Sequence, residues 1–238
     1  MSIPVRQGSA IPRPYTSGMG ERVVPELPSP PELPAPVPGT LRRAWAKVPY
    51  EQRFRRQRRD LLDAAAGLAV DHGVAGTSVA RITSRAGLAK RVFYEHFSDK
   101  EACFVELFEE YGAARLRDAV DAAGRTGDRG AVETIHAVIA ALVSQRGTDP
   151  RLSGSIRAAA GPHPRLAAAF EEHDRRVADL LTVVAIRLGS ELPEPTIRLA
   201  ALLLVKGVID LATELRERRG ALEELTAICC RAFGLPTE

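Results

Sequence analysis

Apolar residues recur every three or four positions from about residue 52 onward, and no segment shows sustained alternation. A period near 3.6 residues is typical of amphipathic helices, whereas half-buried strands alternate. Divided at its glycines and prolines, the pattern predicts an all-α chain of about nine helices. They span about 52–72, 78–86, 89–96, 99–122, 130–145, 151–160, 164–188, 194–219 and 221–233.

The first part of the chain has a different composition, since ten of the 17 prolines lie in residues 1–40. Proline donates no backbone hydrogen bond, and the segment has too few apolar residues to form a core. The composition therefore predicts a disordered tail over residues 1–44 that is partly polyproline II. A docking peptide for a partner is the alternative interpretation.

Two short predicted helices joined at Gly87 follow the first long helix, which is the order of a helix-turn-helix. Val79, Ile82 and Ala86 are spaced to form one apolar face, and glycine permits the positive φ of a tight turn. Phe93 is spaced to face inward. The polar side of the second helix is then free to enter a DNA major groove about 12 Å wide.

The helix after this motif begins with a capping-box pattern, because Ser98 is followed three residues later by Glu101. In a capping box, each of the two side chains bonds the backbone amide of the other residue. We therefore expect the long fourth helix to start near Asp99, with Ser98 as its cap.

Charge is distributed unevenly along the chain. Residues 41–100 contain 13 Lys and Arg against 6 Asp and Glu, net +7, whereas residues 101–238 contain 17 against 21, net −4. A basic segment joined to an acidic body indicates that one part of the protein binds a polyanion.

The run "TSVARITSRAGLAKRVFYEHFSDKEACF" is similar to the DNA-binding domain of the TetR family of transcriptional regulators. The resemblance implies a DNA-binding domain over residues 45–115, with its helix-turn-helix at 78–97, and a ligand-binding and dimerisation domain over 116–238. Twelve positions match the family pattern, namely Thr77, Ser78, Val79, Ile82, Ala86, Gly87, Phe93, Tyr94, His96, Phe97, Lys100 and Glu101.

The resemblance assigns roles to polar residues of the second short helix, which is the recognition helix. Lys90 and Arg91 are expected to read bases, and a bidentate arginine–guanine contact is worth about 1–3 kcal/mol of discrimination. Tyr94 and Lys100 are expected to bind phosphates. His96 either contacts a phosphate or packs and caps the end of the helix.

Further expected DNA contacts lie outside the recognition helix. Thr77 and Ser78 stand at the start of the first short helix, and Arg55 and Arg56 belong to a basic stretch of the first long helix. The basic residues within 42–47 are expected to reach a minor groove as an arm. A solvated charged surface is the alternative for the stretch and for the arm.

The resemblance also implies a homodimer through the last two helices, about 194–233. The segment "IRLAALLLVKGVIDLATEL" is apolar almost all round, which is more than one buried face requires. Pairing with a second copy would form a four-helix bundle. Within this segment, Lys206 and Asp210 are spaced to form an intrahelical ion pair.

The helices between about 130 and 188 are expected to enclose the cavity for an unknown small-molecule effector, as in the family. His136, Arg157 and His173 are the candidate polar groups, with a surface or structural role as the alternative for each. Effector binding would change the arrangement of the DNA-binding heads through the helix that starts near Asp99.

Other functional classes lack support in the sequence. No catalytic triad, paired-carboxylate site, phosphate loop or metal-ligand spacing is present, so we expect a non-enzyme without metal or cofactor. Cys103, Cys229 and Cys230 are expected to be buried thiols. With no signal peptide and no membrane span, the protein is predicted to be cytoplasmic.

The expected function is that of a repressor that binds double-stranded DNA at a palindromic operator as a homodimer and is released by its effector. The alternatives are a transcriptional activator of the same fold and a helical adaptor that has lost specific DNA binding.

Overall fold

The computed structural model describes residues 49–125, 130–143, 150–217 and 220–237, which form nine α-helices and no strand. The predicted helices are confirmed, with ends displaced by at most two residues. The proline-rich segment and the predicted arm at 42–47 lie outside the described residues. The helices are α1 (Tyr50–His72), α2 (Val79–Ala86), α3 (Lys90–His96), α4 (Lys100–Gly124), α5 (Ala131–Val143), α6 (Pro150–Ala158), α7 (Pro164–Arg187), α8 (Glu194–Glu217) and α9 (Ala221–Ala232).

One apolar core, here the N-terminal core, is enclosed by α1, α2, α3 and the first half of α4. Leu61, Ile82, Phe93 and Phe104 are completely buried in it. Side chains from α6 and from the start of α7, such as Ile156, also belong to this core. Two helices that come much later in the chain thus complete this core, with α6 packed against α1 and α4, and α7 packed against α4.

A second apolar core, here the C-terminal core, is formed by the second half of α4 with α5, α7, α8 and α9. Leu116, Ile135, Leu180, Ile197 and Cys229 are among its buried members. Both α4 and α7 contribute to the two cores, so each of these helices connects the two cores. None of the described helices has both the length and the apolar character that a membrane span requires.

The predicted capping box at the start of α4 is wrong. The N-cap is Asp99, whose carboxylate accepts a hydrogen bond from the backbone amide of Ala102 at 2.9 Å. The helix starts one residue later than a Ser98 cap requires, so Glu101 does not occupy the capping-box position. Its carboxylate is free to bond elsewhere.

Glu101 instead stabilises the start of α7. Its Oε1 accepts hydrogen bonds from the backbone amides of Arg165 and Leu166, at 2.9 and 3.4 Å, in the first turn of that helix. The Arg165 guanidinium adds an ion pair of 3.1 Å to Glu101 and one of 2.6 Å to Asp99. Two acidic residues at the start of α4 thus hold α7 in place.

The three cysteines are free and buried, as predicted. Burial raises the pKa of Cys103 and of Cys229 to about 12. Such thiols are protonated at neutral pH and pack as small apolar side chains.

Lys206 makes an ion pair that the sequence did not predict. Its Nζ lies 3.8 Å from Oδ2 of Asp174 on α7, so it makes an interhelical contact. The side chain of Asp210, the predicted partner, lies outside the described residues.

Candidate nucleic-acid interface

The turn between α2 and α3 has the tight geometry of a helix-turn-helix. Ser78 caps α2, since its hydroxyl accepts from the backbone amide of Arg81 at 3.3 Å. Gly87 ends α2 in the left-handed region at φ 66°, where a side chain would be strained. The amide of Leu88 then donates to the Thr83 carbonyl at 2.9 Å, which directs the chain into α3.

The seven-residue helix α3 has one buried side and one exposed side. Phe93 and Phe97 are buried, with ring centroids 5.4 Å apart. Tyr94 lies against the edge of the Phe93 ring, yet 52% of its surface is exposed. Lys90 and Arg91 are also exposed. Two aromatic rings thus fix the orientation in which α3 presents its polar residues.

Arg91 is held only weakly in its present position. Its side chain is 89% exposed, and its Nε lies 3.3 Å from Glu95 Oε1, one helical turn away. Exposed pairs at this spacing contribute only about 0.3–0.5 kcal/mol, so Arg91 can exchange Glu95 for another partner. Ala89, which precedes α3, makes no side-chain capping bond.

The ring of His96 packs between helices. Its centroid lies 4.0 Å from that of Phe54 on α1, and neither ring nitrogen has a hydrogen-bond partner among the described residues. Burial and the nearby Arg58 charge lower the pKa of His96, which favours a neutral ring. This placement favours packing over a phosphate contact.

Arg58 holds the end of α3 in place, a role that the sequence did not suggest. Its guanidinium donates two hydrogen bonds to the carboxylate of Glu106 on α4 and one of 3.1 Å to the carbonyl of His96. It also lies 4.7 Å from the Phe97 ring centroid. The two carboxylate bonds join residues 48 positions apart, so no local spacing could have indicated them.

Some of the other arginines of α1 form ion pairs, and others are exposed. Arg59 pairs with Glu110 on α4 at 3.0 Å, and Arg56 lies 4.0 Å from Asp60 within α1. Arg55 is exposed. Of the two predicted contacts, Arg55 is therefore on the open surface, whereas Arg56 is half-buried beside a carboxylate.

Two other predicted contacts are directed inward. Thr77 is buried, and its hydroxyl donates to the Gly73 carbonyl at 2.9 Å. The ammonium of Lys100 donates to the Val74 carbonyl at 3.0 Å. Both side chains hold the turn between α1 and α2, whereas Ser78 lies exposed at the start of α2.

Residues 61–107, which include all of α2 and α3, match the family model described as "Bacterial regulatory proteins, tetR family". This segment of the chain is a TetR-type DNA-binding domain. Proteins of the family that the model describes are DNA-binding transcriptional regulators rather than enzymes, which supports a DNA-binding regulator here.

Solved structures share this TetR-like fold across most of the chain. A candidate transcriptional regulator from Pseudomonas aeruginosa PAO1 is 22% identical, with a TM-score of 0.64, over 80% of this chain and 92% of that one. NemR from Escherichia coli, in its reduced form, is 21% identical with a TM-score of 0.58, over 76% and 100%.

FadR from Bacillus subtilis, solved in complex with stearoyl-CoA, is 14% identical, with a TM-score of 0.56, over 74% of this chain and 97% of that one. Identities this low establish the fold alone. The predicted class, an N-terminal helix-turn-helix domain followed by a helical domain, is confirmed. A search of the curated proteins finds no match.

A group of polar side chains lies where the two cores meet, and we call it the polar layer. It comprises Arg115 on α4, Arg157 on α6, His173 and Asp174 on α7, and Lys206 on α8. Asp174 is buried, with Oδ1 3.7 Å from Arg157 and Oδ2 3.8 Å from Lys206. Along α7, the layer falls between buried residues of the N-terminal core and those of the C-terminal core.

The three predicted effector-site candidates separate in the structure. Arg157 and His173 both lie in the polar layer. His136 lies elsewhere. Its Nδ1 is 3.3 Å from the hydroxyl of Thr226, and this contact joins α5 to α9. The structure therefore brings two of the three candidates together.

The His173 ring is confined by neighbours that disfavour its charged form. It stands edge-on to the Phe108 ring at 5.4 Å, and a Cβ on Gly112 would lie only 2.8 Å from its Nδ1. Burial, with the charges of Arg115, Arg157 and Arg176, lowers the pKa of His173 to about 4. The ring is neutral at pH 7.

Stability should therefore fall as the pH is lowered from 6.5 towards 4. In this window the unfolded state binds a proton at His173 and the folded state does not, which costs about 2 kcal/mol between pH 7 and pH 5. Urea unfolding at the two pH values measures this loss. His173→Gln should remove this loss of stability, whereas the exposed control His72→Gln should keep the wild-type dependence of the free energy of unfolding on pH. Equal slopes for both variants would contradict the assignment.

Proposed function

We propose that this protein is a TetR-family repressor that binds palindromic operator DNA as a homodimer and is released by a small-molecule effector. The observation that carries the proposal is the orientation of α3. Its aromatic side is buried through Phe93, whereas Lys90, Arg91 and Tyr94 share its exposed surface. A short helix with this division can enter a major groove.

The exposed residues are assigned different tasks in this proposal. Lys90 and Arg91, at the start of α3, read base edges, and Arg91 exchanges Glu95 for the N7 and O6 acceptors of a guanine. The Tyr94 hydroxyl and the exposed groups of Ser78 and Arg55 bind phosphates and set the register. Lys100, Thr77 and His96 act indirectly by holding the turns around α3.

The homodimer is proposed from exposed apolar residues on α8 and α9. Leu199, Leu203 and Ile228 are exposed, although the opposite side of α8 already packs in the C-terminal core through Ile197 and Ala201. Exposed leucines at a spacing of four residues form a stripe along one side of the helix. A second copy would cover this stripe and place two α3 helices on half-sites about 34–36 Å apart.

Release by an effector is proposed from the connection between the two cores. Because α4 and α7 contribute to both, a ligand that changes their packing in the C-terminal half also changes the position of α3. The likeness to FadR, which was solved with stearoyl-CoA, supports a small molecule as the effector.

Selection of bound fragments from the source genome, followed by titration of the full-length protein, tests the proposal. Affinity for the selected fragment should fall steeply between about 50 and about 200 mM salt, because phosphate contacts release counterions. Deletion of the gene should raise transcription beside the bound fragment. A fall in transcription would indicate the activator, and weak, salt-independent binding would indicate the adaptor.

Arg91→Ala should relax sequence preference on the selected fragment. We expect a loss of about 1–3 kcal/mol in discrimination between the operator and a copy with one guanine replaced, with little change for random DNA. Arg175→Ala is the matched control, because Arg175 also pairs with a glutamate of its own helix on an exposed surface. Fluorescence anisotropy measures both. An unchanged preference in Arg91→Ala would remove Arg91 from the base-reading residues.

A further inference from the structure

The polar layer contains a buried donor atom that lacks an acceptor. Nε of Arg115 is buried and has no hydrogen-bond partner in the described part of the chain. Burial and the neighbouring Arg157 charge lower the pKa of Arg115, so its charged form is disfavoured there. A buried donor that lacks an acceptor is unfavourable, and more so when it is charged.

Positive charge exceeds negative charge in the layer. Arg115, Arg157 and Lys206 provide three cations, His173 is neutral, and Asp174 provides the carboxylate. Asp174 is shared between Arg157 and Lys206 at 3.7 and 3.8 Å, both long for hydrogen-bonded ion pairs. One more carboxylate would pair Arg115 and bring the layer closer to neutrality.

Aromatic rings lie directly beside these cations. The guanidinium of Arg157 lies 4.3 Å from the Phe170 ring centroid, and the Phe108 ring lies 4.0 Å from that of Phe170. The layer also reaches solvent, because the Arg157 and Lys206 side chains are partly exposed. Cationic groups beside apolar rings suit a ligand with an acid group and an apolar body.

We propose that the polar layer is the effector site and that the effector is an organic carboxylate whose acid group binds Arg115 and Arg157. The proposal rests on the proposed function, since it names the chemical class of the effector. Arginine is suited to this task because its planar guanidinium donates two parallel hydrogen bonds to a carboxylate.

The position of Arg157 connects such a ligand to the DNA-binding helices. Arg157 lies on α6, whose buried residues Leu152 and Ile156 pack in the N-terminal core with residues of α1. A carboxylate that draws Arg157 away from Asp174 therefore moves a helix that packs against α1. That movement changes the packing around α3, and DNA is released as a result.

Calorimetric titration of the full-length protein with benzoate, phenylacetate and octanoate tests the site, with benzamide, phenylacetamide and octanamide as uncharged controls. At least one acid should bind at least about tenfold more tightly than its amide. Equal affinities, or no binding of any of the three acids up to about 10 mM, would overturn the proposal.

Arg115→Met tests the assigned residue. The variant should lose acid binding by at least about tenfold and should melt at a higher temperature than the wild type, because it removes a buried donor that has no acceptor among the described residues. Arg175→Met, at an exposed arginine, should change neither property. If Arg115→Met is poorly folded, Arg115→Lys replaces it and should keep part of the acid binding. Wild-type acid affinity in either Arg115 variant would overturn the assignment.

DNA binding measured on the same samples distinguishes failure of the carboxylate site from failure of the proposed regulator function. If the protein binds the acids but does not bind DNA, the carboxylate site is supported and the proposed function is wrong. Specific DNA binding with no response to the acids would remove the site and leave the regulator. Acid binding that lowers affinity for the selected fragment supports both.

Discussion

Replacing Phe93 by alanine is expected to destabilise the chain by about 3–5 kcal/mol. Phe93 has no exposed surface and packs on Phe97 at 5.4 Å between ring centroids. Alanine would leave a cavity at the contact that orients α3. The helix has only seven residues and cannot remain folded without this packing.

Urea unfolding monitored by circular dichroism measures the free energy of unfolding, and anisotropy measures affinity for random DNA. Tyr94→Ala is the matched control, since it removes the adjacent aromatic ring from an exposed position. The control should cost less than about 1 kcal/mol while still weakening DNA binding. If Phe93→Ala were as stable as Tyr94→Ala, the buried orientation of α3 would be wrong.

Replacing Leu203 by glutamate is expected to convert the proposed dimer into a monomer. Leu203 is 66% exposed in the single chain, so the charge is tolerated in the monomer. In the dimer it would be buried against a second copy, where an unpaired carboxylate is strongly unfavourable. Loss of the second DNA-binding domain should lower operator affinity by on the order of 100-fold, because two linked half-site contacts become one.

Sedimentation velocity gives the oligomeric state, and titration of the selected fragment gives the affinity. Val143→Glu is the control, since Val143 is another exposed apolar residue but lies at the end of α5. This variant should sediment and bind DNA like the wild type. A dimeric Leu203→Glu protein with normal operator affinity would place the interface elsewhere.

The helices could be predicted from sequence because each depends mainly on local spacing. The apolar residues of α1, α4 and α7 repeat with a helical period, and glycine or proline stands near most boundaries. The helix-turn-helix was predictable for the same reason, since the Val79, Ile82 and Ala86 face and the Gly87 turn lie within nine residues.

Contacts between distant residues could not be predicted in the same way. Glu101 was expected to cap its own helix, but its carboxylate binds the first turn of α7, about 64 residues later. The basic stretch in α1 was expected to contact DNA, whereas Arg58 and Arg59 bind carboxylates on α4. A short-range pattern shows that a residue is charged but does not show which distant helix approaches it.

By itself, the sequence determined the all-α class, the order of the helices, the helix-turn-helix and its TetR resemblance, because these follow from periodicity and fixed spacing. Only the tertiary structure showed that Arg91 and Tyr94 are exposed while Thr77 and Lys100 point inward. It alone placed the buried Nε of Arg115, which has no hydrogen-bond partner among the described residues, near Arg157 and His173. The physical reason is that burial and ion pairing depend on the packing of α4, α6 and α7, which are far apart in the chain.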